Sequence, residues 1–221
     1  GRIYPILYLN IRIARERKEC GKTVYEQLWE NDEPENTLVL SAPGTGKTTL
    51  LSVLSGLAAP TSGNVYYKGQ DVEKMNKYDF RSKYVGVVFQ SFNLLTKFTA
   101  FENVSLSMDI ANFNVNDKKQ YVYDLLESVG LDSEQANSRI LKLSGGQQQR
   151  VAIARALSYQ PEVILADEPT GNLDGETEAE IIKILRDLAN QGKCVIIVTH
   201  TPAVAKAADH IYDLSKLKNA K

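Results

Sequence analysis

The sequence predicts an α/β fold built on a mainly parallel sheet, and three observations carry that expectation. Four short apolar runs, TLVL (37–40), VGVVF (85–89), VILA (163–166) and VIIV (195–198), are rich in β-branched residues and barely alternate with polar ones. Such runs suit strands covered on both faces, as parallel strands are. Helical patterns lie between them: Ile181, Leu185 and Leu188 recur at spacings of three and four after an acidic start at Glu176 and Glu178. The stretch LVLSAPGTGKTTLLSVL joins a strand to an apolar helix through a Gly-rich turn. Alternating strand and helix of this kind reads as α/β.

The remaining elements follow in order. VYYKGQDV (65–72), flanked by Gly63 and containing Gly69, predicts a strand and turn near the sheet's edge. Residues 91–150 break the rhythm, because no strong strand appears and Val122, Leu125, Leu126 and Val129 form a helical stripe ending at Gly130. That region is expected to be a helical insertion. The chain carries neither an internal repeat nor a low-complexity linker.

Bulk properties narrow the function classes. A chain of 221 residues can bury one large core, and 43% hydrophobic with 24% charged residues is ordinary for a globular protein. A formal net charge of -1 supplies no broad basic field, so no nucleic-acid partner is expected. Of the two cysteines, Cys20 and Cys194, the second sits in CVIIV and reads as a small buried thiol, with no disulfide framework implied. No stretch approaches the roughly 20 apolar residues that span a bilayer. The opening GRIYPILYLNIRIARERK lacks the order of a signal peptide.

The turn from Ser41 through Ala42, Pro43, Gly44, Thr45 and Gly46, followed by Lys47, Thr48 and Thr49, is a near match to G-x-x-x-x-G-K-[ST], the phosphate-binding loop. Its glycines let successive N–H groups face one phosphate, the helix start adds partial positive charge, and the lysine neutralises the β and γ oxygens. Thr48 is expected to hold Mg²⁺ through its hydroxyl. Ser41 replaces the pattern's first glycine, and a side chain there can tilt the turn.

LSGGQQQRVAIARAL (143–157) puts Ser144 at a helix N-cap, with Gly145 and Gly146 leaving the first amides open to an anion. Here the chain resembles the ABC ATPases, whose LSGGQ signature this stretch matches. The resemblance implies a P-loop NTPase core with a mainly parallel sheet, an N-terminal antiparallel β-subdomain and a helical insertion subdomain. It implies a single domain over 1–221, with the core in 1–90 and 151–221 and the helical subdomain, bearing the signature, in 91–150. It also implies ATP and Mg²⁺ as ligands, and a homodimer in which Ser144, Gly145, Gly146 and Gln147 of one subunit cap the γ-phosphate held by the other.

The strand VILADEPTGNLD ends in adjacent carboxylates, costly to place together unless cation or water chemistry uses them. On resemblance to the Walker B strand, Asp167 supports Mg²⁺ and Glu168 acts on the attacking water as base or polariser. Asp174 matches the family's D-loop position, which contacts the opposite subunit. His200, ending VIIVTH, is implied as the γ-phosphate switch, and Gln90, in FQSFNLL, as a metal or water contact linked to the insertion. His210 reads instead as a surface or packing residue.

The segments FQSFNLLTKFTAFENV and ADEPTGNLD are similar to the branch serving lipoprotein release and export of macrolides and antimicrobial peptides. Membership implies a membrane-spanning permease partner and a cytoplasmic, peripheral location on the inner face of the membrane. The resemblance covers about 37–210. Before it, Cys20 stands where the family has an adenine-stacking aromatic, and Tyr25 competes for that role against a packing role. Trp29 reads as packing, and RIARERK (12–18) and the tail SKLKNAK as solvated faces. The second functional reading is a nucleotide-switched assembly module with little hydrolysis, motivated by Ser41 and the irregular N-terminal segment.

Overall fold

The computed structural model describes residues 37–41, 47–60 and 63–213. In chain order β1 (Thr37–Ser41) leads to α1 (Lys47–Leu54), a hairpin of β2 (Tyr66–Tyr67) and β3 (Gln70–Asp71), the short helix α2 (Lys77–Asp79) and β4 (Val85–Val88). Four helices follow: α3 (Ala100–Ile110), α4 (Lys118–Ser128), α5 (Ser133–Ala136) and α6 (Gly145–Leu157). β5 (Val163–Asp167), α7 (Gly175–Asn190), β6 (Cys194–Val198), α8 (Pro202–Lys206) and β7 (His210–Asp213) complete the described chain.

The four apolar runs are the strands β1, β4, β5 and β6, and with β7 they form a five-stranded sheet of order β4-β5-β6-β1-β7. Every pairing in it is parallel. Successive side chains of β5 and β6 point to opposite faces, which is why both runs are apolar throughout. Ile164, Ala166, Val195 and Ile197 pack with α3, α4, α6 and α7 on one side. Val163, Leu165, Ile196 and Val198 pack with Leu51 and Leu54 of α1 and with Tyr67, Val72 and Phe80 on the other. Fully burying a side chain such as Ile164 or Leu165 stabilises the fold by about 1.5–3 kcal/mol.

α6 lies unusually close to the sheet. A Cβ at Gly86 of β4 would stand 2.6 Å from the Ala156 carbonyl oxygen and 2.9 Å from Ile164 Cδ1, so only glycine lets the helix seat there. α4 ends as its sequence predicts, with Gly130 at φ 81° just past its last turn and Val122, Leu126 and Val129 buried. The stripe of α7 likewise buries Ile181, Leu185 and Leu188.

Within residues 65–72 the predicted strand and turn form a separate two-stranded antiparallel sheet, with Lys68 and Gly69 both at positive φ as a tight hairpin turn requires. Tyr67 Oη donates to Glu162 at 2.6 Å and Lys68 Nζ donates at 2.8 Å, which ties the hairpin to the residue preceding β5. β7 was not expected as a strand, because HIYD offers no apolar run. It is set by pairing with β1, where His210 stands beside Leu38. Cys20, Tyr25, Trp29, the RIARERK run, residues 42–46 and the tail from 214 lie outside the described residues. No helix among the described residues is long and apolar enough to cross a membrane.

Candidate functional site

In a parallel α/β sheet, loops at the carboxyl ends of the strands gather at one edge. Several of the predicted site residues follow that rule. Ser41 ends β1 and Lys47 opens α1, so the ends of the phosphate loop are in place while Ala42, Pro43, Gly44, Thr45 and Gly46 lie outside the described residues. Gln90 follows β4, Asp167 ends β5 with Glu168 next, and Thr199 and His200 follow β6.

Thr48 Oγ1, in the first turn of α1, donates to Asp167 Oδ2 at 3.0 Å. Hydroxyl and carboxylate oxygens are the hard donors that Mg²⁺ takes. No cluster of three or more His, Cys, Asp or Glu side chains stands ready for a metal among the described residues. The Thr48–Asp167 pair is a donor set that fits such a hard cation. Thr49 is exposed in the same turn.

Glu168 is 8% exposed and adopts φ 45°, a left-handed backbone that a side chain occupies only at a cost of about 1–2 kcal/mol. Its amide donates to the Val198 carbonyl at 2.8 Å, and its own carbonyl accepts from Gly171 N at 3.1 Å. Its carboxylate is aimed by β6: Oε2 accepts from Thr199 Oγ1 at 2.9 Å and from His200 N at 3.3 Å, while Oε1 lies 2.8 Å from His200 Nδ1. The His200 side chain is 63% exposed, so its ring spans the gap between a buried carboxylate and solvent. Thr199 was not singled out by the sequence reading. Its only signal there is a hydroxyl placed directly after an apolar strand.

Gln90 is brought beside the same turn. A Cβ added to Gly171 would meet Gln90 Nε2 at 3.1 Å, and Asn172 Nδ2 lies 3.5 Å from the Gln90 carbonyl. Beyond it, Phe92 and Asn93 both take left-handed backbone, with φ of 59° and 52°. Arg155 of α6 holds them, donating through Nη2 to the Phe92 carbonyl at 3.0 Å and through Nη1 to that of Asn93. Burial pushes the Arg155 guanidinium below its ordinary value, the mark of a cation kept largely from water. The sequence reading missed Arg155, although an arginine inside the apolar run VAIARAL is a signal of buried use.

Ser144 caps α6 in a reciprocal box: its Oγ accepts from Gln147 N at 3.3 Å, and its own N–H donates to Gln147 Oε1 at 2.8 Å. Gln147 Oε1 is therefore engaged in the cap. The first turn of α6 packs on the start of α7, with Gly145 near Leu173 and Gly146 against Thr177. Asp174 caps α7, accepting from Thr177 N at 2.9 Å, and these backbone bonds hold its carboxyl below the usual range.

The chain is similar to known proteins in sequence and in fold. A family profile described as "ABC transporter" matches residues 29–171. The chain is 46% identical over 179 residues to an uncharacterized ABC transporter ATP-binding protein, YclH of Bacillus subtilis, covering 80% of this chain and 79% of that one. It is 43% identical over 188 residues to the lipoprotein-releasing system ATP-binding protein LolD of Syntrophotalea carbinolica, covering 83% and 82%. Among solved structures, the dimeric bacterial ABC transporter cassette MJ0796 superposes with a TM-score of 0.74 at 36% identity, covering 81% of this chain and 80% of that one. The same cassette is known as a dimer in a post-hydrolysis state bound to ADP and Pi, with the same TM-score of 0.74. By sequence and by fold, this chain belongs to the ABC transporter ATP-binding family.

Proposed function

We propose that this chain is the ATP-hydrolysing subunit of an ABC transporter complex, closing as a homodimer around ATP to drive a membrane-spanning permease in export or resistance. The observation that carries the reading is the juxtaposition at one sheet edge of the Thr48–Asp167 pair and a Glu168 carboxylate aimed by Thr199 and His200. The domain division expected from sequence, with 91–150 as the helical subdomain, accompanies this proposal.

In phosphoryl transfer the protein mainly positions reactants and stabilises charge. Lys47 and the loop from Ser41 to Thr49 bind the β- and γ-phosphates. Thr48 and Asp167, with Gln90, hold Mg²⁺, which when bound supplies charge neutralisation to the phosphate oxygens. Glu168 accepts a proton from, or polarises, the attacking water. His200 bonds Glu168 through Nδ1 and offers its other ring nitrogen toward the γ-phosphate. Ser144, Gly145, Gly146 and Gln147 cap the partner subunit's nucleotide, and Asp174 lies near the same dimer face. The cassette MJ0796, dimeric in its structures, supports the homodimer. Location at the inner face of the membrane then follows from attachment to the permease.

The test is phosphate release by the purified full chain and by Glu168→Gln, with dimerisation followed by size exclusion at saturating ATP. Loss of a general base is expected to lower kcat by about 10²–10⁴-fold, with ATP-dependent dimers accumulating in the variant. Wild-type turnover by the glutamine variant would overturn the role of Glu168. Tight ATP binding by the unmodified chain with negligible turnover, alone and with its co-purified membrane partner, would favour a nucleotide-switched assembly module.

A further inference from the structure

Amide side chains are kept from interiors unless a hydrogen bond offsets the lost hydration. Gln149, on α6, has 0% exposure. Its Nε2 donates to the Pro169 carbonyl at 2.7 Å, while its Oε1 has no hydrogen-bond partner among the described residues. An unbranched apolar side chain of similar length would fill the position without leaving that oxygen unpaired. What the amide adds is one donor, placed on the residue that follows Glu168.

That carbonyl is a sensitive point. Proline fixes its own φ, so anchoring the Pro169 carbonyl leaves the peptide between Glu168 and Pro169 little freedom. The rest of the turn is held by β6, through Glu168 N to Val198, and by itself, through Gly171 N to Glu168. Gln149 adds a grip from outside the sheet, and it comes from the helix that Ser144 caps. The start of that helix is wedged against α7 at Gly146 and Thr177. Displacement of α6 therefore reaches the Glu168 turn without passing through the nucleotide.

We propose that Gln149 is a positioning residue for Glu168, holding the hydrolytic turn through the Pro169 carbonyl so that the Ser144 helix and the Glu168 carboxylate shift together. It deepens, and rests on, the function proposed for Glu168. In the proposed dimer the first turn of α6 meets the partner's nucleotide, so Gln149 relays the state of that site to the Glu168 that serves the chain's own.

The test uses the full chain carrying Gln149→Met, which keeps length and apolarity but loses the donor. Thr170→Val serves as control: it removes a neighbouring buried hydroxyl that also lacks a partner among the described residues. For Gln149→Met, kcat for ATP is expected to fall at least tenfold while KM, melting temperature and ATP-dependent dimerisation in a Glu168→Gln background stay within twofold or within a few degrees. Amide exchange at Glu168 and Gly171 is expected to quicken at least tenfold. Thr170→Val should leave kcat and exchange unchanged. Unchanged exchange in Gln149→Met, or an equal effect from Thr170→Val, overturns the proposal. So does a fall in kcat matched by loss of ATP affinity and melting temperature. If the unmodified chain fails to hydrolyse ATP, the catalytic reading fails on its own, and amide exchange still decides whether Gln149 holds the turn.

Discussion

Gly145 and Gly146 read alike in the sequence, yet they should respond to alanine in opposite directions. A Cβ on Gly146 would stand 2.3 Å from Thr177 Cγ2, far inside ordinary van der Waals contact, with Thr177 Cβ and Oγ1 both at 3.5 Å behind it. Thr177 is β-branched and sits in the first turn of α7, so its side chain has few alternative positions. Overpacking of this kind costs about 1–3 kcal/mol. For a chain of this size each kcal/mol moves the midpoint about 2–4 °C, so Gly146→Ala should lower the melting temperature by roughly 2–12 °C. At Gly145 the nearest atom to an added Cβ is Leu173 Cδ2 at 3.8 Å, an ordinary contact. Alanine there restricts the unfolded chain and should stabilise by about 0.4–1 kcal/mol. Thermal melts of both variants, and of Gly146→Ala combined with Thr177→Ala, form the assay. Removing Cγ2 should restore most of the loss, giving a coupling energy of about 1 kcal/mol or more. If Gly146→Ala melts with the unmodified chain, or the double variant gains nothing, the close approach of α6 and α7 is not what that glycine serves.

Two further outcomes follow from polar contacts away from the phosphate loop. Burial acts to raise the Glu162 carboxyl, but the hydrogen bonds from Lys68 and Tyr67 outweigh it and hold the group below its ordinary value. A lowered folded value means stability present above the unfolded pKa of about 4.3 and lost as pH falls below it. Glu162→Gln should therefore flatten the loss of melting temperature between about pH 5 and 3. Arg155→Lys replaces a fork that reaches two carbonyls with a single point charge, and should cost about 1.5–3 kcal/mol in urea unfolding. Limited proteolysis at 90–94 should quicken in the same variant, and an unchanged cleavage rate would refute the clamp.

The placement of several candidate site residues at strand ends was legible in the sequence. Asp167, Glu168 and His200 each follow an apolar run, and such runs can hardly be anything but buried parallel strands. The central strands were legible for the same reason. β7 was not, since a strand at the sheet edge needs no apolar run and HIYD owes its place to backbone pairing with β1. Arg155, Gln149 and Thr199 were missed because each acts on backbone or side-chain atoms distant in sequence, and local pattern carries no record of such a partner. Thr99 and Glu102 show the opposite case: their capping box is local, with Thr99 Oγ1 accepting from Glu102 N at 3.1 Å, and starts α3 from within four residues.

The left-handed backbone at Glu168 sets folding against the proposed turnover at one residue. Glycine or asparagine would sit there without strain, and neither would bring a carboxylate into a site only 8% exposed. A population of this gene screened only for heat tolerance should drift away from glutamate at position 168, whereas one that must keep the proposed ATP hydrolysis cannot. A thermostabilised form of this protein that carries a change at that position is then expected to have exchanged the proposed hydrolysis for a higher melting point.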